Sequence, residues 1–332
     1  MIIVRRAQIN DIPKIMKFLD EHWLNGYALA NNRTFFDWQF VRDEKVNIWI
    51  GVDDDIGNLY AMQGAIVYNA TENPDISGIL WISTKCEEPT LSFGVCDCML
   101  EELHPRYVVS PGITSRVAKF NRSIGNDVVD LDHFYRLSNL NEYKVAKVER
   151  KIIPPIVDCN YSFEQIYTIQ SFKDIISLDM LKAVVPSKDY RYIEWRYFEH
   201  PIFKYDIWGI YDEEKNSQGV IITREETANG SKSCKIVDFY GENKVFEKIA
   251  SPIDRLMERK GYEYIDVFSF GVDSDTYTNG GFVRCDENSN NIITNLFQPY
   301  TCVNSNISMV NPHVKGLRVM RGDSDQDKPR FI

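Results

Sequence analysis

The chain has 332 residues, 44% of them hydrophobic and 26% charged, with 38 Lys+Arg against 48 Asp+Glu for a formal net charge of −10. That length predicts two domains of ordinary size, and the composition excludes a disordered chain. The acidic balance, with basic residues scattered and no basic patch, excludes a nucleic acid as the expected partner.

Ile2 to Val4 reads as a strand, followed by Asn10 as a helix cap and a helix with Ile12, Ile15, Met16 and Leu19 on one face. Strands are predicted at Asn47–Val52 and Leu59–Tyr68, joined by the acidic turn Asp53-Asp54-Asp55-Ile56-Gly57-Asn58. A strand at Ile76–Ser83 leads to Thr90, which would cap a helix reaching about His104. Strand Tyr107–Ser110, helix Thr114–Ser123 and an extended stretch Val128–Leu137 complete this half; Lys144 to Lys151 alternates as an edge strand would. Pro154-Pro155 breaks regular structure and opens a bridge between the halves.

A similar order then returns. Helices at Phe172–Val184 and Tyr190–Phe198 precede strands at Tyr205–Tyr211, Gly219–Arg224 and Cys234–Tyr240. An amphipathic helix follows, with Phe246, Ile249, Ala250, Ile253, Leu256 and Met257 on one face. Strand Tyr264–Phe270, a short helix near Ser274–Thr278 and strand Ile292–Phe297 close the repeat, which is one of element order rather than residue identity. From about Asn304 the chain turns polar, and Arg321-Gly322-Asp323-Ser324-Asp325 reads as a loosely held tail.

Seven cysteines at irregular spacings, with no CxxC pair, indicate neither a disulfide framework nor a zinc knuckle and point to a reducing compartment. Cys96 and Cys98 fall in a predicted helix, where i and i+2 side chains point apart. The five histidines form no HExxH or clustered ligand set, so no metal is expected. There is no Walker lysine loop, GxSxG elbow or GxGxxG after a strand. No apolar run approaches the ~20 residues of a membrane span, and a cytoplasmic location is the expectation.

Several phrases carry a resemblance. Val4-Arg5-Arg6-Ala7-Gln8-Ile9-Asn10-Asp11-Ile12-Pro13, together with Tyr277 before Gly281-Phe282, resembles the GCN5-related N-acetyltransferase (GNAT) superfamily. Glu21-His22-Trp23, Phe36-Asp37-Trp38-Gln39, Trp195-Arg196-Tyr197 and His200-Pro201-Ile202-Phe203-Lys204-Tyr205 look like the members found in bacterial surface-polysaccharide loci. The implied fold class is α/β: two tandem GNAT-like domains, each a mixed, mostly antiparallel central sheet flanked by helices. The expected layout is an N-terminal domain over 1–150, a linker over 151–171, a C-terminal domain over 172–303 and a polar tail over 304–332.

The resemblance implies acetyl-CoA or another acyl-CoA, its pyrophosphate on backbone N–H groups at a helix N-terminus beside two splayed parallel strands. The matching stretch is Lys85 to Gly94 in the first half, where Thr90, Ser92, Phe93 and Gly94 are the expected cofactor residues. It contains one glycine, and Glu87 and Glu88 would repel phosphate unless they turn away. The second half offers Gly241-Glu242-Asn243-Lys244, also short of the family's glycine pattern.

Acyl transfer from a thioester needs a neutral amine, a polarised carbonyl and an acid for the thiolate. His22 is the candidate base, and Tyr135 could supply the acid, because the family's usual tyrosine would fall near Asn121. Trp23, Trp38 and Gln39, with Phe36 beside them, could give an aromatic platform and polar edge for a sugar. Arg196, with Arg191 and Lys204, could hold an acceptor phosphate. A helix-end histidine, core aromatics and exposed helix charges are the plain structural alternatives.

The first reading is an acyl-CoA-dependent N-acyltransferase, transferring acetyl, acting on an amino sugar in nucleotide-linked form during bacterial surface glycan synthesis. The alternatives are a non-catalytic GNAT-like binding or scaffold protein and an aminoacyl-tRNA-dependent transferase of the tandem kind.

Overall fold

The computed structural model describes residues 1–55, 57–156, 160–285 and 290–331; Ile56 of the predicted turn and 157–159 of the predicted linker lie outside them. Contacts divide the chain into two compact units: Met1–Ser110 with Glu199–Phe203 and Lys328–Ile332, and Pro111–Phe198 with Lys204–Asp327. The first break thus falls at Ser110 rather than at the expected residue 150.

The first unit is built on one sheet of β1 (Ile2–Arg6), β2 (Ile48–Asp53), β3 (Leu59–Val67), β4 (Asp75–Ser83) and β5 (Tyr107–Val108), in that order. Its first four strands are antiparallel neighbours, whereas β5 runs parallel to β4. A parallel pair requires a crossover. On the chain between β1 and β2 lie α1 (Ile12–His22) and α2 (Arg33–Phe40), and α3 (Leu91–Leu103) makes the crossover from β4 to β5. Pro13 occupies the first turn of α1, where a missing N–H costs nothing, and Ile12, Ile15, Phe18 and Leu19 are buried along it. The sequence reading contains no helix over 28–40; the structure has one short turn at Ala28–Asn31 and then α2, capped by the Asn32 side chain.

Helices cover both faces of this sheet. A Cβ added at Gly51 would lie 2.7 Å from Leu91 of α3, and one at Gly64 would lie 2.9 Å from Phe40 of α2. Gly64 pairs with Ile48, three residues from Gly51, so strand alternation puts the two glycines on opposite faces. Both are needed for close helix-on-sheet packing.

The second unit begins with α4 (Ser115–Ser123), β6 (Val128–Asp130) and β7 (Asp132–Leu137). After β8 (Ser162–Ile166) come three short helices, α5 (Ile169–Lys173), α6 (Leu178–Lys182) and α7 (Tyr190–Ile193), the last continuing as a π-helical segment over Glu194–Phe198. Then follow β9 (Asp206–Tyr211), β10 (Ser217–Ala228), β11 (Ser231–Gly241), α8 (Ala250–Lys260), β12 (Tyr262–Phe270), α9 (Ser274–Asn279), β13 (Val283–Arg284), β14 (Ser308–Val310) and β15 (Val319–Met320). The large sheet runs β8-β9-β10-β11-β12-β7-β13, with β15 also against β12, while β14 pairs with β6. Phe246, Ile253, Ile265, Val267 and Tyr277 are among the residues packing α8 and α9 onto one face.

Several expectations change here. The single stretch Val128–Leu137 is two strands, and β7 closes not the first sheet but the second, pairing Tyr264 to Ser269 of β12 with Leu137 to Asp132. The predicted linker contains β8, the first strand of the second sheet. Lys144 to Lys151 is not a strand: its amides at Lys144, Val145 and Ala146 donate to the buried Glu263 carboxylate instead of to a neighbouring strand. The predicted helix Phe172–Val184 is two shorter ones, α5 and α6. The polar tail is not loose either, since Arg318 to Asp325 are buried. No helix of the described residues is long and apolar enough to cross a membrane.

Candidate functional site

Strands β4 and β5 of the first unit pair only at Asp75↔Tyr107 and Ile76↔Val108. The Val109 N–H still reaches Ile76 O at 2.8 Å, but the Gly78 N–H donates to the Ser110 side chain at 2.9 Å, so a hydroxyl has replaced the backbone ladder. Beyond that point β4 keeps β3 as its strand neighbour and has no other among the described residues. The two parallel strands therefore form a fork.

The fork coincides with a bulge. Met62 pairs with Ile82 and Gly64 with Ile79, so β4 carries one extra residue at Leu80–Trp81, with Leu80 at φ +52°. A bulge turns local backbone groups out of the ladder and bends the strand. At the end of β4 the chain runs through Ser83 to Thr90, largely exposed, into the N-terminus of α3.

The first-turn donors of α3 are partly used. Leu91 N–H bonds Glu88 O at 3.2 Å, and Phe93 and Gly94 N–H bond Thr90 O at 2.9 and 3.0 Å. Among the described residues the Ser92 N–H has no acceptor, and the Thr90 hydroxyl, expected as the cap, makes no capping bond. Trp81 Nε1 donates to Ser92 O at 2.6 Å, and the exposed Phe93 ring meets Trp81 edge-on at 5.6 Å, tying the bulge to the helix start. Gly94 faces the sheet: an added Cβ would meet Val4 at 3.6 Å, an ordinary packing contact. The set fits an anion through the Ser92 amide, the two hydroxyls and the positive end of the helix dipole. Glu87 and Glu88 are exposed on the same loop and oppose it.

The second sheet repeats this architecture. Strands β11 and β12 are parallel, pair from Lys232↔Tyr262 to Ile236↔Val267, and then part. Ile222 pairs with Asp238 and Thr223 with Ile236, so β11 has its own extra residue at Val237. This fork is filled: β15 pairs Met320 and Val319 with Ser269 and Phe270 of β12, and Gly322 N–H donates to Val237 O at 2.6 Å. At the end of β11 and the turn after it, Arg318 donates to Phe239 O at 3.0 Å, Gly241 O at 2.7 Å and Asn243 Oδ1 at 3.3 Å. That turn presents carbonyls to a guanidinium rather than N–H groups to a phosphate.

The structure divides the predicted site residues. Thr90, Ser92, Phe93 and Gly94 stand together at the start of α3, and His22 and Trp23 end α1, both on the surface. The His22 ring rests on Phe18 at 4.7 Å, and its Nε2 lies 3.9 Å from Glu21. Trp38 and Gln39 are not an exposed platform: Trp38 packs on Phe35 and His200, at 5.7 and 4.3 Å, while Gln39 is buried at 3% exposure. Phe36 is core, fully buried.

Tyr135 and Arg196 belong to the interior of the second unit, so neither serves as predicted. Tyr135 lies on β7, is buried, and its hydroxyl accepts from Asn291 Nδ2 at 2.9 Å. Arg196 is fully buried and donates to Asp327 O at 2.8 Å, out of reach of an external phosphate. Tyr277 stacks on Phe134 at 4.7 Å and shares a hydrogen bond with Ser269 at 2.8 Å; the phrase Tyr277 to Phe282 is packing here. Splayed parallel strands were implied by the resemblance, but the place of the fork and the bulge around Leu80 were not legible locally, because they depend on the pairing of three strands. Among the described residues no group of His, Cys, Asp or Glu is placed to hold a metal.

No protein-family model matches the sequence and no curated protein matches it. Solved structures do match in fold. A GCN5-related N-acetyltransferase from Anabaena variabilis aligns over 93% of this chain and 72% of its own, with a TM-score of 0.58 at 10% identity. A protein from Enterococcus faecalis described as a probable N-acyltransferase aligns over 93% and 73%, with a TM-score of 0.55 at 10% identity. A glucosamine N-acetyltransferase region of a fungal multi-domain β-N-acetylglucosaminidase aligns over 93% of this chain and 38% of that one, with a TM-score of 0.51 at 11% identity. The chain has the GNAT fold, extending over both units.

Proposed function

We propose that the protein is an acyl-CoA-dependent N-acyltransferase whose donor site is the fork of the first sheet. The observation that carries this reading is the parting of β4 and β5 beside an α3 N-terminus with an unused Ser92 amide. The GNAT fold of the solved neighbours supports it. Fold alone does not assign chemistry, so the site must.

Acyl-CoA, when bound, supplies a thioester carbonyl. The chain's own part is to hold the donor's diphosphate with the Ser92 amide and the Thr90 and Ser92 hydroxyls. Exposed Lys85 adds a positive charge on the same loop. His22 is the proposed proton acceptor for the acceptor amine, its ring open to solvent with Nε2 3.9 Å from the Glu21 carboxylate. Trp23, 40% exposed next to it, offers a flat apolar face for a sugar ring. An amino sugar is the proposed acceptor class; one neighbour in fold is described as a glucosamine N-acetyltransferase region. Acetyl as the acyl group, a nucleotide-linked acceptor and a place in glycan synthesis belong to the same proposal.

The test is calorimetric titration of acetyl-CoA into wild type and Ser92→Glu. A carboxylate ~4 Å from a phosphate charge costs between about 1 kcal/mol in water and about 4 kcal/mol at a protein surface, so affinity should fall at least fivefold. Micromolar binding weakened in this way supports the reading. No binding at millimolar acetyl-CoA, or equal binding by both proteins, removes the first fork as the donor site.

A further inference from the structure

The second fork has an occupant, and the occupant is the chain itself. Val319 and Met320 pair with β12, Arg321 N–H donates to Phe268 O at 3.1 Å, and Gly322 N–H donates across to Val237 O of β11. The segment thus hydrogen-bonds both parted strands. Its fit is close: a Cβ on Gly322 would lie 2.5 Å from the Tyr197 hydroxyl and 2.6 Å from Val237 O, and one on Gly271 would lie 1.9 Å from Leu317 O.

Charges lock it on either side. Asp323 accepts the Met320 N–H at 2.8 Å and pairs with buried Lys188 at 2.6 Å, and Lys188 also holds Asp238 of β11 at 2.7 Å. Asp327 accepts from Arg224 Nη2 at 2.7 Å and Nε at 2.9 Å, and from the Tyr205 hydroxyl at 2.9 Å. Upstream, Arg318 fills the turn after β11, its guanidinium 5.3 Å from the Phe239 ring.

We infer that residues 318–323 are a built-in strand ligand of the second fork. They take the space that an extended cofactor arm would need, so this unit is a strand-receiving scaffold and the chain holds one acyl-CoA. The count of one rests on the proposed function of the first fork; the occupancy of the second does not. The physical basis is strand addition, in which main-chain bonds bind an extended segment and side-chain pockets select it.

The experiment uses the full chain. Hydrogen exchange at the Arg321 and Gly322 amides is measured with and without saturating acetyl-CoA, alongside the binding stoichiometry. A labelled peptide spanning Leu317–Asp327 is then offered to wild type and to Gly322→Val. The expected results are protected amides unchanged by acetyl-CoA, one molecule bound per chain, and peptide capture by the variant alone. Two molecules bound per chain, or loss of protection on acetyl-CoA binding, would overturn the inference. So would a variant that keeps protected amides and ignores the peptide. If Gly322→Val does not fold, the wild-type exchange and stoichiometry still decide. Protected amides with no acetyl-CoA bound would sink the reading of the first fork and leave the strand ligand standing.

Discussion

Replacing Asp327 by Asn removes one charge from a site where three arginines converge. Asp327 is fully buried, and its carboxylate accepts from Arg224 Nη2 at 2.7 Å, Arg224 Nε at 2.9 Å, Arg321 Nε at 3.2 Å and Tyr205 at 2.9 Å. Burial would raise this carboxyl, but Arg224, then Arg321 and Arg196, outweigh it and hold it far below the usual carboxylate range. Asn keeps one oxygen but turns an NH₂ toward groups that are themselves donors. Glu226, 2.7 Å from Arg224, is left as that arginine's anionic partner. Removing one member of a buried pair costs about 3–5 kcal/mol, mainly because the other charge stays behind. At about 2–4 °C per kcal/mol for a unit of 150–250 residues, the melting temperature should fall by roughly 6–20 °C.

The assay is thermal and urea denaturation at pH 7 followed by far-UV circular dichroism, with urea slopes compared to confirm an unchanged transition. The sign of the pH dependence is fixed by the depressed carboxyl. Its contribution is complete above the unfolded-state pKa near ~4 and is lost as pH falls toward the folded value, so wild type and variant should converge in acid. A loss below about 1 kcal/mol at pH 7 would refute the reasoning, because it would mean that Arg224 and Arg321 are solvated or neutralised without Asp327.

Burial lowers the His133 pKa against the opposing bond to Asp266 at 2.8 Å, while Lys235 and Arg321 face it with positive charge. The unfolded chain therefore binds a proton that the folded chain refuses. Stability from this group is present above about pH 6.5 and falls below it by up to ~1.4 kcal/mol per unit, a slope that His133→Gln should flatten in urea titrations between pH 5 and 7. Glu263→Gln should cost about 1–3 kcal/mol and speed amide exchange at Lys144 to Ala146, because one amide oxygen cannot replace two carboxylate oxygens accepting three N–H groups. Gly51→Val should destabilise the first unit by about 1–3 kcal/mol, since its Cβ would already lie 2.7 Å from Leu91; an unchanged melting temperature would show that α3 can shift freely. His22→Asn should lower kcat with little change in melting temperature, and an unaltered kcat would remove His22 as the base.

Much of the fold is written locally. Short, largely apolar runs such as Leu59–Val67 and Tyr262–Phe270, buried along most of their length, and the periodic apolar stripes of α1 and α8, place strands and helices from neighbours in sequence alone. The start of α3 was legible for the same reason, as a polar turn ending in Thr90 before an apolar helix. The helix α2 was not, because Phe35, Trp38 and Gln39 spread aromatic and polar residues round a turn too short to show a period.

By itself the sequence determined the alternation of strands and helices, the repeat of that order and the exposed loop of the candidate donor site. Only the tertiary structure decided the rest. It moved Tyr135 into the second sheet, because strand pairing joins it to Asp266, 131 positions away, with no local mark at either end. It also turned a charged tail into buried structure. Arg318, Arg321, Asp323 and Asp327 look solvated in sequence, and their burial is offset by partners far away in the chain, among them Arg224 of β10, Phe239 of β11, Lys188 before α7 and Tyr205. Periodicity reports which side of an element is apolar; which charges meet inside depends on contacts that exist only after the sheet has closed.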